Sequence, residues 1–319
     1  MKRILLVRIG ALGDAIHALP LANELRAAFP EARIEWAAGP GVIRFLEGHP
    51  AVDRFVRVEK GLRGILAARR EVRDGYEIAI DAQGLIKSAV IASAAAPRVI
   101  GRARGHAREL PAAFLYTDQV VPGGRHVIEQ NLDLLLPIAP DRVRGEIRYE
   151  LVLPDPPAWP LLCESPVLFN IGGGWWTKLW PPERFAELAV RIEEELGAPV
   201  GIVWGPGEED SARLIARRSP AIMAPPTNFR ELGAIFRKAR LLVSGETGPL
   251  HLAVAVGCPT VALLGPTVAE RNGPYGPGHA VIEPDLPCRP CHARSCADFI
   301  CMPAIPVAKV FAAVADRLK

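Results

Sequence analysis

Residues 241–266, LLVSGETGPLHLAVAVGCPTVALLGP, leave the chain few ways to fold. An apolar run, Leu241–Val243, stops at Ser244-Gly245-Glu246-Thr247-Gly248, and a helical pattern opens at Pro249. A second apolar run, Thr260–Leu264, follows Gly257. Short apolar runs joined by a helix belong to a parallel sheet. The polar and glycine residues gather where the first strand meets the helix. Thr247 or Gly248 suits the cap, and Pro249 suits the first turn. Unpaired amides and the positive end of the helix dipole would suit a phosphate there. An ordinary turn of an α/β sheet carries the same residues, so the loop alone leaves both readings open.

The same unit recurs along the chain. Arg3–Arg8 reads as a strand, Gly10-Ala11-Leu12-Gly13-Asp14 as a tight loop, and Ala15–Phe29 as a helix with Ile16, Leu19, Ala22 and Leu25 on one stripe. Arg33–Ala38, Phe55–Val58 and Glu77–Ile80 read as strands, with helices at Gly41–Glu47, Leu62–Val72 and Leu85–Ala95. The proline-rich stretch Pro154–Pro160 reads as a linker. Alternation then restarts with strands at Val167–Ile171 and Val200–Trp204. Helices follow at Pro182–Leu196, Glu208–Arg217 and Phe229–Ala239, and a last one at Ala304–Leu318. The pattern predicts an α/β chain of two Rossmann-like halves, 1–155 and 156–319, with parallel sheets and ligands beyond the carboxyl ends of the strands.

Composition narrows the function. Half of the 319 residues are hydrophobic, enough for two cores. The net charge of +3 argues against a dedicated nucleic-acid binder, and the excess lies in the first half. The uncharged stretch Thr247–Ala269 is rich in glycine and proline and reads as a buried helix plus strand, not a membrane span. The expectation is a soluble, cytoplasmic protein.

Three glycine loops follow strands: Gly10–Gly13, Gly172–Gly174 and Gly245–Gly248. None continues as Gly-Lys-Ser/Thr and none is a full G-x-G-x-x-G, which argues against an ATPase and a dinucleotide dehydrogenase. Asp14 after the first loop fits either a helix-start dipole partner or a general base. Lys178, set among Trp175, Trp176 and Trp180, fits either a phosphate ligand or a stem laid on aromatic surface. His251, one turn into the helix that opens near Pro249, fits either a core position or the phosphate side. Asp14 lies in one half and Lys178, Thr247 and His251 in the other, so a cleft between the halves would hold two substrates.

The motifs ILLVRIGALGDAIHALPLANELR, YEIAIDAQGLIKSAVIA, RVIGRARGHARELPAAFLY, HVIEQNLDLL, GGGWWTKLWPPERFAEL, LLVSGETGPLHLAVAVGCPTVALLGPT and GPYGP occur in order. Together the sequence resembles the ADP-heptose:lipopolysaccharide heptosyltransferases of glycosyltransferase family 9, nearly end to end. The resemblance implies the GT-B fold, with two Rossmann-like domains whose parallel sheets face a central cleft. The N-terminal domain would bind the acceptor and the C-terminal domain the nucleotide sugar. It implies an inverting, metal-independent transfer of heptose from ADP-heptose to an inner-core lipopolysaccharide acceptor, Kdo or heptose. Asp14 takes the place of the general base and Lys178 that of the diphosphate-stabilising lysine. The donor-side set is Gly172, Gly173, Thr177, Glu246, Thr247, Gly248 and His251. The acceptor-side set is Gly13, Lys87, Arg98, Arg102, Arg104 and Arg108. An anionic glycolipid acceptor would bring the protein to the inner face of the inner membrane as a peripheral protein.

Two features fit this picture less directly. The donor loop of the family usually reads Asp-Thr-Gly, and here Glu246 lengthens the side chain by one methylene. A same-fold transferase using another nucleotide sugar or acceptor glycan is therefore the alternative. Cys288, Cys291, Cys296 and Cys301 form C-x2-C-x4-C-x4-C, which fits a structural metal site or free thiols and a disulfide. With that cluster as a sensor, a non-catalytic nucleotide-sugar or metal-binding regulator is the reading from a different class. Cys163 and Cys258 read as buried small hydrophobes.

Overall fold

The structure, a computed structural model, describes residues 2–143 and 147–319. Its contacts divide the chain into two compact units, Met1–Val152 and Leu153–Lys319.

Unit 1 runs β1 (Arg3–Val7), α1 (Leu12–Ile16), α2 (Leu19–Ala28), β2 (Arg33–Ala38), α3 (Pro40–Leu46), β3 (Arg54–Arg57), α4 (Gly61–Glu71), β4 (Ile78–Asp81), α5 (Ile86–Ala95), β5 (Arg98–Arg102), β6 (Asp118–Val120) and α6 (Val127–Leu132). A 3-10 helix, Leu110–Leu115, connects β5 to β6. The strands form one parallel sheet in the order β3-β2-β1-β4-β5-β6. Central strands with apolar residues on both faces need cover on both, and the crossover helices supply it. On one face Ala68, Val72, Ala89, Ile91, Ala112 and Ala113 pack on Leu5, Val7, Ala79 and Val99.

Unit 2 runs β7 (Val167–Asn170), α7 (Pro182–Leu196), β8 (Val200–Val203), α8 (Glu209–Arg218), β9 (Ile222–Met223), α9 (Phe229–Lys238), β10 (Leu241–Gly245), α10 (Gly248–Ala255), β11 (Thr260–Leu263), α11 (Ala269–Asn272), β12 (His279–Ile282) and α12 (Val307–Leu318). Its sheet is also parallel, ordered β12-β11-β10-β7-β8-β9. Trp180, Phe185 and Phe169 form a tilted and edge-to-face aromatic stack in its core. Among the described residues no helix is long and apolar enough to cross a membrane.

Several elements differ from the sequence expectation. The helix expected over Ala15–Phe29 is two: α1 ends at Ile16 and α2 restarts at Leu19 with Pro20 in its first turn. Proline has no amide to extend the first helix but fits the opening of a second. Likewise α12 starts at Val307, after Pro306 at its cap, not at Ala304. The arginine-rich stretch contains a strand, β5, whose charged ends obscured its Val99-Ile100-Gly101 centre. The edge strands β6, β9 and β12 carry too few residues for a period-two signal. Cys163 is exposed, because Leu161 takes the buried position of its 3-10 turn; Cys258 is buried, as expected.

Glu35 in β2 is a charge placed wholly inside unit 1. Its carboxylate accepts from Tyr76 Oη at 2.6 Å and Arg33 Nε at 2.8 Å, with Arg3 and Arg54 each at 3.3 Å. Burial alone would raise this carboxyl. The Tyr76 and Arg3 hydrogen bonds and the Arg54 and Arg33 charges outweigh it and hold the pKa below the ordinary value. The three guanidinium groups are about half exposed and therefore screened. Most of the cost of losing Glu35 comes from the buried Tyr76 hydroxyl it would leave without an acceptor. Glu35→Ala should lower unfolding free energy by about 2 kcal/mol, read from urea denaturation midpoints.

Candidate functional site

Parallel order dictates where each unit presents its loops. In unit 1 the chain steps outward from β1 through β2 to β3, then returns to the other side of β1 as β4. The switch point therefore lies between β1 and β4, flanked by the loops after those strands, 8–14 and 82–85. In unit 2 the corresponding point lies between β7 and β10, flanked by Gly172–Gly174 and Glu246–Gly248.

At the first switch point Asp14 sits in the opening turn of α1. Its Oδ2 accepts from the Ala11 amide at 3.3 Å and lies 2.8 Å from Arg8 Nη2 and 3.4 Å from Arg108 Nη1. The helix-start role and a charged anchor thus coexist on one oxygen. Among the described residues no hydrogen bond to Oδ1 is found, and the side chain is partly open to solvent. Arg8 is buried, its Nη1 donating to Ala82 O at 2.5 Å. Burial lowers the Arg8 pKa, and Asp14 opposes that shift. Asp81 beneath the second loop accepts from Tyr116 Oη, Ser88 Oγ and the Gln83 and Gly84 amides, at 2.7 to 3.1 Å. Gln83 Oε1 in turn accepts from the Ile9 amide at 2.6 Å, tying the two loops together.

Of the basic stretch, Arg98 and Arg102 are engaged within unit 1. Arg98 begins β5, at the end of the strand away from the loops, and pairs with Asp118 and Pro137 O. Arg102 is buried and donates to Asn131 Oδ1 at 2.6 Å and Ala82 O at 3.2 Å. Arg104, Arg108 and Lys87 are exposed, and Gly13 lies one residue from Asp14. Arg8 escaped the sequence reading because it closes an apolar strand; a charge in that position was its only signal.

At the second switch point a cavity of about 290 Å³ is lined by Asn170, Gly172, Gly173, Glu208, Thr247 and Gly248, with Trp204 and Phe229 as apolar wall. Asn170 Nδ2 donates to Ser244 Oγ at 2.9 Å and Thr247 Oγ1 at 3.2 Å, which fixes the cap of α10. Glu208 is a further residue the sequence reading missed. It accepts from the Gly205 amide at 2.7 Å and the Gly173 amide at 3.2 Å. A Cβ on Gly172 would overlap this carboxylate at 1.8 Å. Its signal was its place in Trp204-Gly205-Pro206-Gly207-Glu208, another glycine loop closing a strand.

Lys178, Glu246 and His251 stand together beside that cavity. Lys178 Nζ pairs with Glu246 Oε2 and lies 4.2 Å from the Trp175 ring centroid, while His251 Nε2 is 3.2 Å from Glu246 Oε1. The close approach needs Gly245, whose Cβ would stand 2.8 Å from Lys178 O. Burial pushes the Glu246 carboxyl up, but the hydrogen bond and charge of His251 and the charge of Lys178 bring it below its ordinary value. Thr177 is buried, its hydroxyl donating to Ala293 O at 2.8 Å.

The candidate metal cysteines lie on the segment that precedes α12. Cys288, Cys291 and Cys296 are exposed, and among the described residues no three His, Cys, Asp or Glu side chains converge as a ligand set. The segment is shaped instead by Arg289, which donates to Pro284 O and Thr267 O, and by the Cys291 amide on Pro266 O. Burial pushes the Cys301 thiol up.

Residues 65–298 match the model of glycosyltransferase family 9 (heptosyltransferase). The chain belongs to glycosyltransferase family 9. It is 33% identical to lipopolysaccharide heptosyltransferase 1 of Pseudomonas aeruginosa over 317 residues, covering 92% of this chain and 87% of that one. Its fold is similar to that of the E. coli heptosyltransferase WaaC. The structure with ADP gives a TM-score of 0.81 at 22% identity, covering 99% of each chain. The structure with ADP-2-deoxy-2-fluoro heptose gives 0.79 at 22% identity, covering 98% of this chain and 99% of that one. The family 9 chain is thus a glycosyltransferase with the two Rossmann-like sheets of the GT-B fold.

Because the folded-state pKa of Glu246 is depressed, its ion pair contributes stability above the unfolded-state value. That contribution is lost as pH falls through the lower folded value. Melting temperatures of the wild type and Glu246→Gln should differ at neutral pH and converge as the pH falls through the lowered folded-state value. A constant difference across that range would show that the carboxylate charge contributes nothing.

Proposed function

We propose that this protein transfers heptose from ADP-heptose to an inner-core lipopolysaccharide sugar, Kdo or heptose, with inversion and without a metal. The observation that carries the mechanism is the Asp14 carboxylate. One oxygen is held by Arg8, Arg108 and the Ala11 amide, and the other is left for a substrate. The named heptosyltransferase relatives support the choice of donor and acceptor.

In this reading Asp14 Oδ1 takes the proton of an acceptor hydroxyl as that oxygen bonds to the anomeric carbon. The bond from that carbon to the diphosphate oxygen breaks on the opposite side. Charge then gathers on departing ADP. The Lys178 ammonium and the amides at the start of α10, Thr247 and Gly248, would neutralise it in place of a metal ion. Gly172, Gly173 and Glu208 would line the nucleotide's path, and Arg104, Arg108 and Lys87 would meet an anionic acceptor, since guanidinium forks match carboxylate and phosphate. A glycolipid acceptor assigns the reaction to the inner face of the inner membrane.

One observation favours a second reading, in which a different nucleotide sugar is the donor. Both oxygens of Glu246 are engaged within the unit, by Lys178 and His251, so the longer carboxylate is not directed at a sugar hydroxyl. Product analysis with ADP-, GDP- and UDP-sugars separates the two, and intact ADP-heptose with every inner-core acceptor would sink the first.

Asp14→Asn should reduce turnover by about 10²–10⁴-fold while ADP affinity is kept, measured by single-turnover kinetics and calorimetry. Lys178→Ala should weaken ADP binding by about tenfold or more, as loss of a partly desolvated charge contact does. Treatment with EDTA should leave the rate unchanged, whereas a rate restored only by added metal would contradict metal-free catalysis.

A further inference from the structure

Three neighbouring elements of unit 1 open with an exposed large aliphatic residue. Leu62 in the first turn of α4 is 71% exposed, Ile86 at the start of α5 45%, and Leu110 at the start of the 3-10 helix 54%. These elements follow β3, β4 and β5 and cover one face of the sheet side by side. Because the strands are parallel, all three first turns arrive at the same edge, the one that carries Asp14 and Arg108. Phe114, 59% exposed, extends the row along the 3-10 helix. Single exposed apolar residues are ordinary; a row of them along the edge that carries Asp14 is not.

Cations are interleaved with the row. Lys60, Arg63, Lys87 and Arg104 are all exposed, and the Arg104 guanidinium lies 4.3 Å from the centroid of the Phe114 ring. The nearby acids are engaged: Glu59 pairs with Arg57, and Glu109 accepts from the Ile86 amide at 2.7 Å. Aliphatic tips that can enter a headgroup layer, set among cations that meet lipid phosphates, match the surface of an anionic bilayer.

We propose that this rim docks unit 1 on an anionic phospholipid bilayer, with the Asp14 edge of the sheet turned toward the headgroups. The proposal rests on the reading of the acceptor as a membrane glycolipid, and it specifies the face by which that acceptor is reached. It is tested with full-length protein and sucrose-loaded vesicles of phosphatidylethanolamine and phosphatidylglycerol, against vesicles of phosphatidylcholine alone.

The wild type should sediment with the anionic vesicles and be released by salt. Leu62→Ser with Leu110→Ser should lower vesicle affinity by about tenfold. Ile222→Ser, an exposed position of unit 2, should leave affinity unchanged. Equal binding by the rim variant, equal binding to phosphatidylcholine, or no wild-type binding would overturn the proposal. A change of oligomeric state in the rim variant without a change in vesicle binding would assign the row to self-association instead. Transfer to a delipidated, soluble core acceptor is assayed in parallel. Transfer without vesicle binding removes the docking face and leaves the proposed reaction standing. Vesicle binding without transfer does the reverse.

Discussion

Parallel strand pairing is the constraint on which the rest of this molecule depends. It forbids tight hairpins, so each strand must be followed by a crossover, and each crossover helix begins at the carboxyl edge of its sheet. Helix amino ends, glycine loops and short polar side chains are thereby collected on one edge of each unit. The strand order then opens a gap in that edge where the chain reverses direction, after β1 and β4 in unit 1 and after β7 and β10 in unit 2. Asp14, after β1, and the Thr247–Gly248 cap, after β10, each flank the switch point of their own unit for this topological reason.

Charge is handled differently at the two edges. Arg8 is buried beneath Asp14, so removing Asp14 would leave a poorly solvated guanidinium without its carboxylate. Glu246 instead lies between the Lys178 ammonium and the His251 ring, and its lowered pKa favours the carboxylate. A phosphate arriving at Lys178 would therefore compete with an anion already in place. Asn170 holds the α10 cap through Ser244 and Thr247 without any charge, so the amides keep their geometry whichever anion Lys178 faces.

Much of the architecture was legible because burial leaves a periodic trace. The α7 boundaries, Pro182 to Leu196, follow from prolines at one end and a left-handed Gly197 at the other. The helices around Pro20 and Pro306 were misread because a proline can close one helix or open the next, and periodicity does not say which. The β5 strand was hidden by its terminal arginines. Whether an arginine faces solvent, a ligand or a buried amide depends on what lies across the sheet, here Asp118 for Arg98 and Asn131 for Arg102.

The sequence by itself determined the alternation of strands and helices, the positions of the glycine loops and the resemblance to family 9. These are local patterns, set by which residues must be buried and which backbone conformations each loop needs. Tertiary structure alone decided the partners. Arg108 reaches Asp14 across 94 residues of chain, Lys178 reaches Glu246 across 68, and Glu208 closes on the Gly173 amide across 35. Strand order brings these groups together, and strand order is fixed by packing of the whole sheet, which no local window of sequence contains.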